Sequence, residues 1–72
     1  MWTGNYNLKK WAKVYEEKRN LHASIIKLKN FEGKTYYRLR TNYSEESFNF
    51  QFYNSLKDAK KAADKFWKKL NF

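Results

Sequence analysis

Thr35-Tyr36-Tyr37-Arg38-Leu39-Arg40-Thr41 is the run on which the reading of this chain turns. Side chains alternate across a β-strand, so Tyr37 and Leu39 fall on one face while Tyr36, Arg38 and Arg40 fall on the other. An apolar face backed by a cationic, aromatic one is expected of an antiparallel strand that packs on one side and meets water on the other. Just before it, Asn30-Phe31-Glu32-Gly33-Lys34 places a glycine between two β-like runs, which predicts a hairpin. The other arm is Leu21-His22-Ala23-Ser24-Ile25-Ile26-Lys27-Leu28-Lys29. There Ile25 and Ile26 favour a strand, and the alternation of Ile26 and Leu28 with Lys27 and Lys29 turns both lysines outward.

Upstream, Trp11 to Glu17 reads as a shorter strand that ends in a turn at Arg19-Asn20. On this reading Trp11, Lys13 and Tyr15 extend the same outward surface. Residues 1 to 9 have no clear period and form a loosely ordered lead-in to a single domain over residues 10 to 72, with Trp2 and Tyr6 able to fold back onto it. Downstream, Asn42 to Glu46 is polar and turn-like. Phe48, Phe50 and Phe52 then alternate with Asn49, Gln51 and Tyr53, so period 2 aims the phenylalanines at the core and leaves the other three outward.

Ser55 is a helix N-cap, with Asn54 competing for the place and Asp58 three residues on, close to a capping box. Leu56, Ala59, Ala62, Ala63, Phe66, Trp67 and Leu70 form an apolar stripe at helical spacing, with Lys57, Lys60, Lys61, Lys65, Lys68 and Lys69 on the remaining faces. A helix over residues 56 to 70 follows. The expected fold is α+β: an antiparallel meander of three or four strands with one C-terminal helix packed on one face, leaving the other face uncovered.

At 72 residues the chain supports one core, because a domain of this size buries only about 60% of the surface its unfolded form exposes. Aromatic residues make up 21% of the sequence, enough to exclude a disordered chain. Cysteine is absent, which removes disulfides and thiolate zinc sites as staples. Neither a signal-peptide pattern nor a run of about 18 apolar residues occurs, so the expectation is a soluble, cytoplasmic protein with no membrane role.

Sixteen Lys and Arg against seven Asp and Glu give a net charge of +9, a field that attracts polyanions. An A·T-rich coding genome with lysine as a solubilising residue accounts for the same composition without a partner. A single histidine, no cysteine and no glycine-rich phosphate loop leave almost no material for nucleophilic or metal chemistry; neither a catalytic residue nor a cofactor is expected. The expected nucleic-acid-binding residues are Lys13, Lys27, Lys29, Tyr36, Arg38, Arg40, Asn49 and Gln51. Guanidinium groups pair with phosphate or guanine, amides read adenine, and exposed rings stack on bases. Lys57, Lys60 and Lys61 on the helix are candidates for positioning phosphates, or else an ordinary solvated face.

Tyr53-Asn54-Ser55-Leu56-Lys57-Asp58-Ala59-Lys60-Lys61-Ala62-Ala63-Asp64 resembles the strand-to-helix passage of the plant ethylene-response-factor DNA-binding domain and of the arm-binding domains of phage and transposon integrases. Tyr53, Ser55, Ala59, Ala62 and Asp64 stand at the family's aromatic, hydroxyl, alanine and aspartate places. The resemblance covers the last 40 or so residues and implies a sheet that reads DNA through Arg38 and Arg40, and a phage or mobile-element origin. The family's glycines and Trp-rich strand are missing, and its buried aromatic falls on Tyr53 where the strand pattern buries Phe52. A second, shorter stretch, Asn30 to Arg40, is similar to the central hairpin of the coactivator-type single-stranded-DNA-binding fold, which implies a stacking platform and a dimer. DNA is thus the favoured partner. The rival is an acidic protein docked on the aromatic sheet, as for a host-takeover inhibitor. Self-pairing into a homodimer is a third way to cover the open face.

Overall fold

In the computed structural model, which describes residues 1–44 and 50–70, the elements follow as β1 (Thr3–Asn5), β2 (Lys10–Glu16), β3 (Leu21–Lys29), β4 (Thr35–Thr41), β5 (Gln51–Tyr53) and α1 (Leu56–Leu70). The strands make one sheet in chain order, and every neighbouring pair is antiparallel. The α+β class and the meander with one C-terminal helix are as expected. The sheet is wider by one strand, because β1 pairs with β2 inside the segment read as a lead-in. No helix among the described residues is long and apolar enough to cross a membrane.

β1 was hidden because it depends on a glycine and not on a hydrophobic period. Gly4 sits opposite Trp11 at φ +124°, and a Cβ there would lie 2.1 Å from the Lys10 carbonyl oxygen and 2.8 Å from the Trp11 Cα. Both neighbours are backbone, so only a residue without a side chain lets the strands approach this closely. Gly4→Ala should detach β1 and cost about 1–3 kcal/mol of backbone strain. The expected readout is rapid amide exchange along the β1–β2 pairing with protection in β3 and β4 retained; full protection of the β1–β2 amides would contradict it.

The β3–β4 hairpin closes on Asn30, whose side-chain oxygen accepts hydrogen bonds from the Glu32 N–H at 2.9 Å and the Lys34 N–H at 3.0 Å, with Gly33 at φ +84°. This is an Asx-type turn that satisfies backbone donors locally. Register then follows: Ile25 faces Leu39, Ile26 faces Arg38 and Ala23 faces Thr41. The buried cluster is Trp11, Ala23, Ile25, Tyr37, Leu39, Tyr43, Ala59 and Ala63, sandwiched between the sheet and α1. Fully buried Ala59 and Ala63 bring the helix close to the strands, and the Ser55 hydroxyl caps it by accepting from the Asp58 N–H at 3.1 Å. Tyr43, in the stretch read as a polar turn, belongs to the core and donates its hydroxyl to the Ala63 carbonyl at 2.7 Å.

The last strand departs from the expected parity. Phe52 pairs with Arg38 and Tyr53 with Tyr37, so Tyr53 packs toward the core and Phe52 points away from it, 60% exposed. Phe50 has a left-handed backbone, φ +59°, which breaks the simple alternation assumed for the phenylalanine run. Phe48 and Asn49 lie outside the described residues.

Candidate nucleic-acid interface

The face of the sheet away from α1 is built by alternate residues of each strand. β2 presents Lys10, Ala12 and Val14, β3 presents His22, Ser24, Ile26 and Leu28, β4 presents Tyr36, Arg38 and Arg40, and β5 presents Phe52. None of these positions holds an acid. Arg38 is opposite both Ile26 and Phe52, and Arg40 is opposite Ser24, so the two guanidinium groups leave the same side of the strand two residues apart.

Phe50 organises them. The Arg38 guanidinium carbon lies 4.3 Å from the Phe50 ring centroid and that of Arg40 lies 5.4 Å from it, both within cation–π range. A bulky residue in the left-handed region is strained, and such strain concentrates where a side chain must be aimed. The ring limits the freedom of two long side chains that would otherwise lose entropy on meeting a ligand. Next to them, Tyr36 and Phe52 are tilted rings with centroids 5.8 Å apart. Beside Arg40 a hollow of about 270 Å³ is bordered by His22 and Ser24, with the His22 Nδ1 2.9 Å from the Asn20 carbonyl oxygen. Two forked cations and two partly exposed rings, with no acid at the outward strand positions among the described residues, can grip phosphate, pair with a guanine edge or stack on a base.

Of the residues expected on this face from the sequence, Tyr36, Arg38 and Arg40 are together on it. Lys13 is on the helix side, where its Nζ lies 3.1 Å from Asp64 Oδ1 of α1, and the Tyr15 hydroxyl donates to the same oxygen. Trp11 is core. Lys27 is opposite Tyr37 and also on the helix side, with its Nζ 5.5 Å from the Tyr6 ring, and Lys29, opposite Thr35, shares that parity. Gln51 is opposite Leu39, and it and Tyr53 are likewise on the helix side. Asn49 lies outside the described residues.

A single cause accounts for the differences on β3. Two apolar residues stand side by side at Ile25 and Ile26, and alternation with Lys27 and Lys29 selects Ile26 for the core, whereas the sheet buries Ile25. A one-residue change of phase moves a whole strand to the other face. The residues missed in consequence are Ile26, Leu28, Ser24 and His22 on β3; Phe50 and Phe52 around Arg38 are missed for the separate reason that the left-handed backbone at Phe50 breaks the alternation before β5. A signal was available in Leu39: a hairpin closed at Asn30–Lys34 sets Ile25, and not Ile26, across from it.

The helix lysines form a separate surface. α1 covers the opposite side of the sheet, so Lys57, Lys60 and Lys61 do not share a face with Arg38. Beneath them, burial and then the bond to Asp64 push the Tyr15 phenol far above its ordinary value, and burial raises Tyr43 as well. Both rings therefore stay protonated donors at any physiological pH and act as struts between sheet and helix. Among the described residues no cluster of three His, Cys, Asp or Glu side chains is placed to hold a metal ion. No protein-family model, curated protein or solved structure matches the chain.

Proposed function

We propose that this chain is a DNA-binding module that lays its open sheet face in the major groove, with Arg38 and Arg40 as the reading side chains and Tyr36 and Phe52 beside them. The observation that carries the reading is the pair of guanidinium groups held over Phe50, at 4.3 and 5.4 Å, on strands whose outward positions hold no acid among the described residues. Dimensions support it. Three strands spaced about 4.8 Å apart span roughly 10 Å between their outer axes, which suits a groove about 12 Å wide. The net charge of +9 adds sequence-independent attraction to the backbone. The likeness of the β5–α1 passage to sheet-reading DNA-binding domains supports the same reading, and the core-facing Tyr53 fits the family's buried aromatic.

Fluorescence anisotropy of labelled duplex DNA, single-stranded DNA and RNA at two salt concentrations tests the proposal. With the arginines on base edges and Lys10 among the cations on flanking phosphates, the log–log salt slope for duplex should be negative by about 0.9 for each phosphate neutralised. Preference for duplex with that slope is the expected result. No binding to any form near physiological salt overturns it.

An apolar belt favours a second reading. Val14 is 50% exposed, and with Ile26, Leu28 and Phe52 it lines the open face beside the arginines. A protein partner with an acidic rim and an apolar centre would match that mixture. Purified protein free of nucleic acid that captures a stable acidic protein would favour this reading over DNA.

A further inference from the structure

β1 does more than widen the sheet. Its pairing through Gly4 brings Trp2 against α1, and the following turn, in which the Lys9 N–H donates to the Asn5 carbonyl at 3.0 Å, carries Tyr6 alongside. Between this segment and the first turns of the helix runs an open groove of about 460 Å³, with Trp2 and Tyr6 on one wall and Lys57, Lys60 and Lys61 on the other. The Lys60 Nζ stands 5.9 Å from the Trp2 ring. Among the described residues the one acid lining the groove is Asp64, and its Oδ1 is already engaged by Lys13 and Tyr15. Lys57 and Lys61 are exposed and make no ion pair among the described residues.

We propose that this groove is a second nucleic-acid site, one for an unpaired strand: a base stacks on Trp2 and Tyr6 while its flanking phosphates meet Lys57 and Lys61. Charge complementarity and shape select this occupant. Lysines alone would accept any anion, and rings alone any apolar group. A planar base joined to phosphates uses both walls at once, which is how single-strand binders combine a positive groove with a stacking platform. The volume lies within the range of pockets that enclose small ligands, about 300–1,000 Å³. The groove is on the helix side of the sheet, away from Arg38 and Arg40, so the two surfaces can be filled together. The assignment therefore stands whether or not the open face binds duplex.

The test is a titration of the ¹⁵N-labelled full chain with a thymidine tetranucleotide, about the smallest site size of single-strand binders. Expected are shifts at the Trp2 indole N–H, at Tyr6 and along the first two turns of α1. Trp2→Ala should weaken binding by between about fivefold and a hundredfold, the usual cost of losing one stacked base. Because Trp2→Ala also loosens the β1 packing, the exposed double variant Lys57→Glu/Lys61→Glu is the second arm; it should weaken the tetranucleotide by at least about tenfold and reduce the salt slope by about 1.4, at 0.7 per phosphate on a single strand. Shifts centred on Arg38, Phe50 and Phe52, or unchanged affinity in the double lysine variant, overturn the proposal. Duplex binding by the same variants, measured in parallel, reports on the open face alone.

Discussion

Arg38→Ala should weaken duplex binding by about 5- to 150-fold, the range for losing one bidentate contact worth about 1–3 kcal/mol. Lys60→Ala, on the other side of the molecule, should change it by much less. Arg38 carries the larger expectation because it is the better placed of the two arginines: it is half-buried, its guanidinium is 4.3 Å from the Phe50 ring, and it is flanked by Ile26 and Phe52 across the neighbouring strands. Arg40 is exposed and 5.4 Å from the same ring, so Arg40→Ala should fall between the other two. Arg38→Lys keeps the charge and loses the planar fork, so it should retain the salt slope while losing sequence preference. Anisotropy at fixed salt, with circular dichroism to confirm that each variant is folded, checks all four. Equal, small losses for Arg38→Ala and Lys60→Ala would reduce the interaction to nonspecific charge attraction.

The arginine stripe was legible because its strand is the one whose two faces differ most in chemistry. Tyr37 and Leu39 against Tyr36, Arg38 and Arg40 leave a single consistent phase. The helix was equally plain: the Ser55 cap, the apolar stripe and the paired alanines all agree, and its bounds fall where the pattern puts them. β3 was ambiguous by its own composition, since Ile25 and Ile26 offer two phases and only pairing with β4 chooses between them. Tyr43 continues the parity of Tyr37, Leu39 and Thr41, so its place in the core was signalled, and the polar residues around it obscured the signal. β1 had no signal of the ordinary kind. Its strand is held by a close backbone approach at Gly4, and its consequence, the Trp2 and Tyr6 wall, arises only once chain ends distant in sequence meet. That is why the sequence marks the helix lysines as cations and Trp2 and Tyr6 as rings able to fold back, without setting the two against each other.

Leu39→Ala should cost about 2–5 kcal/mol, the usual penalty for emptying a fully enclosed leucine site. A domain of 72 residues has about 4–11 kcal/mol in all, so one side chain carries a large share of the fold. Leu39 has no exposed surface, lies between Ile25 and Gln51 in the sheet, and holds the strand that aims Arg38 and Arg40 outward. Urea unfolding should show a lower midpoint at an unchanged slope. Ile26→Ala, one residue out of phase and on the open face, should cost clearly less; equal losses at the two positions would mean that the faces are assigned the wrong way round. The same variant connects stability to binding. A ligand that binds only the folded state adds about 2.7 kcal/mol at a hundredfold excess over its Kd, so saturating duplex should restore much of the Leu39→Ala midpoint if the open face is the binding surface. Adding Arg38→Ala to that background should cut the rescue by about 1–2.4 kcal/mol at the same duplex concentration, whereas adding Lys57→Glu/Lys61→Glu should leave it largely intact.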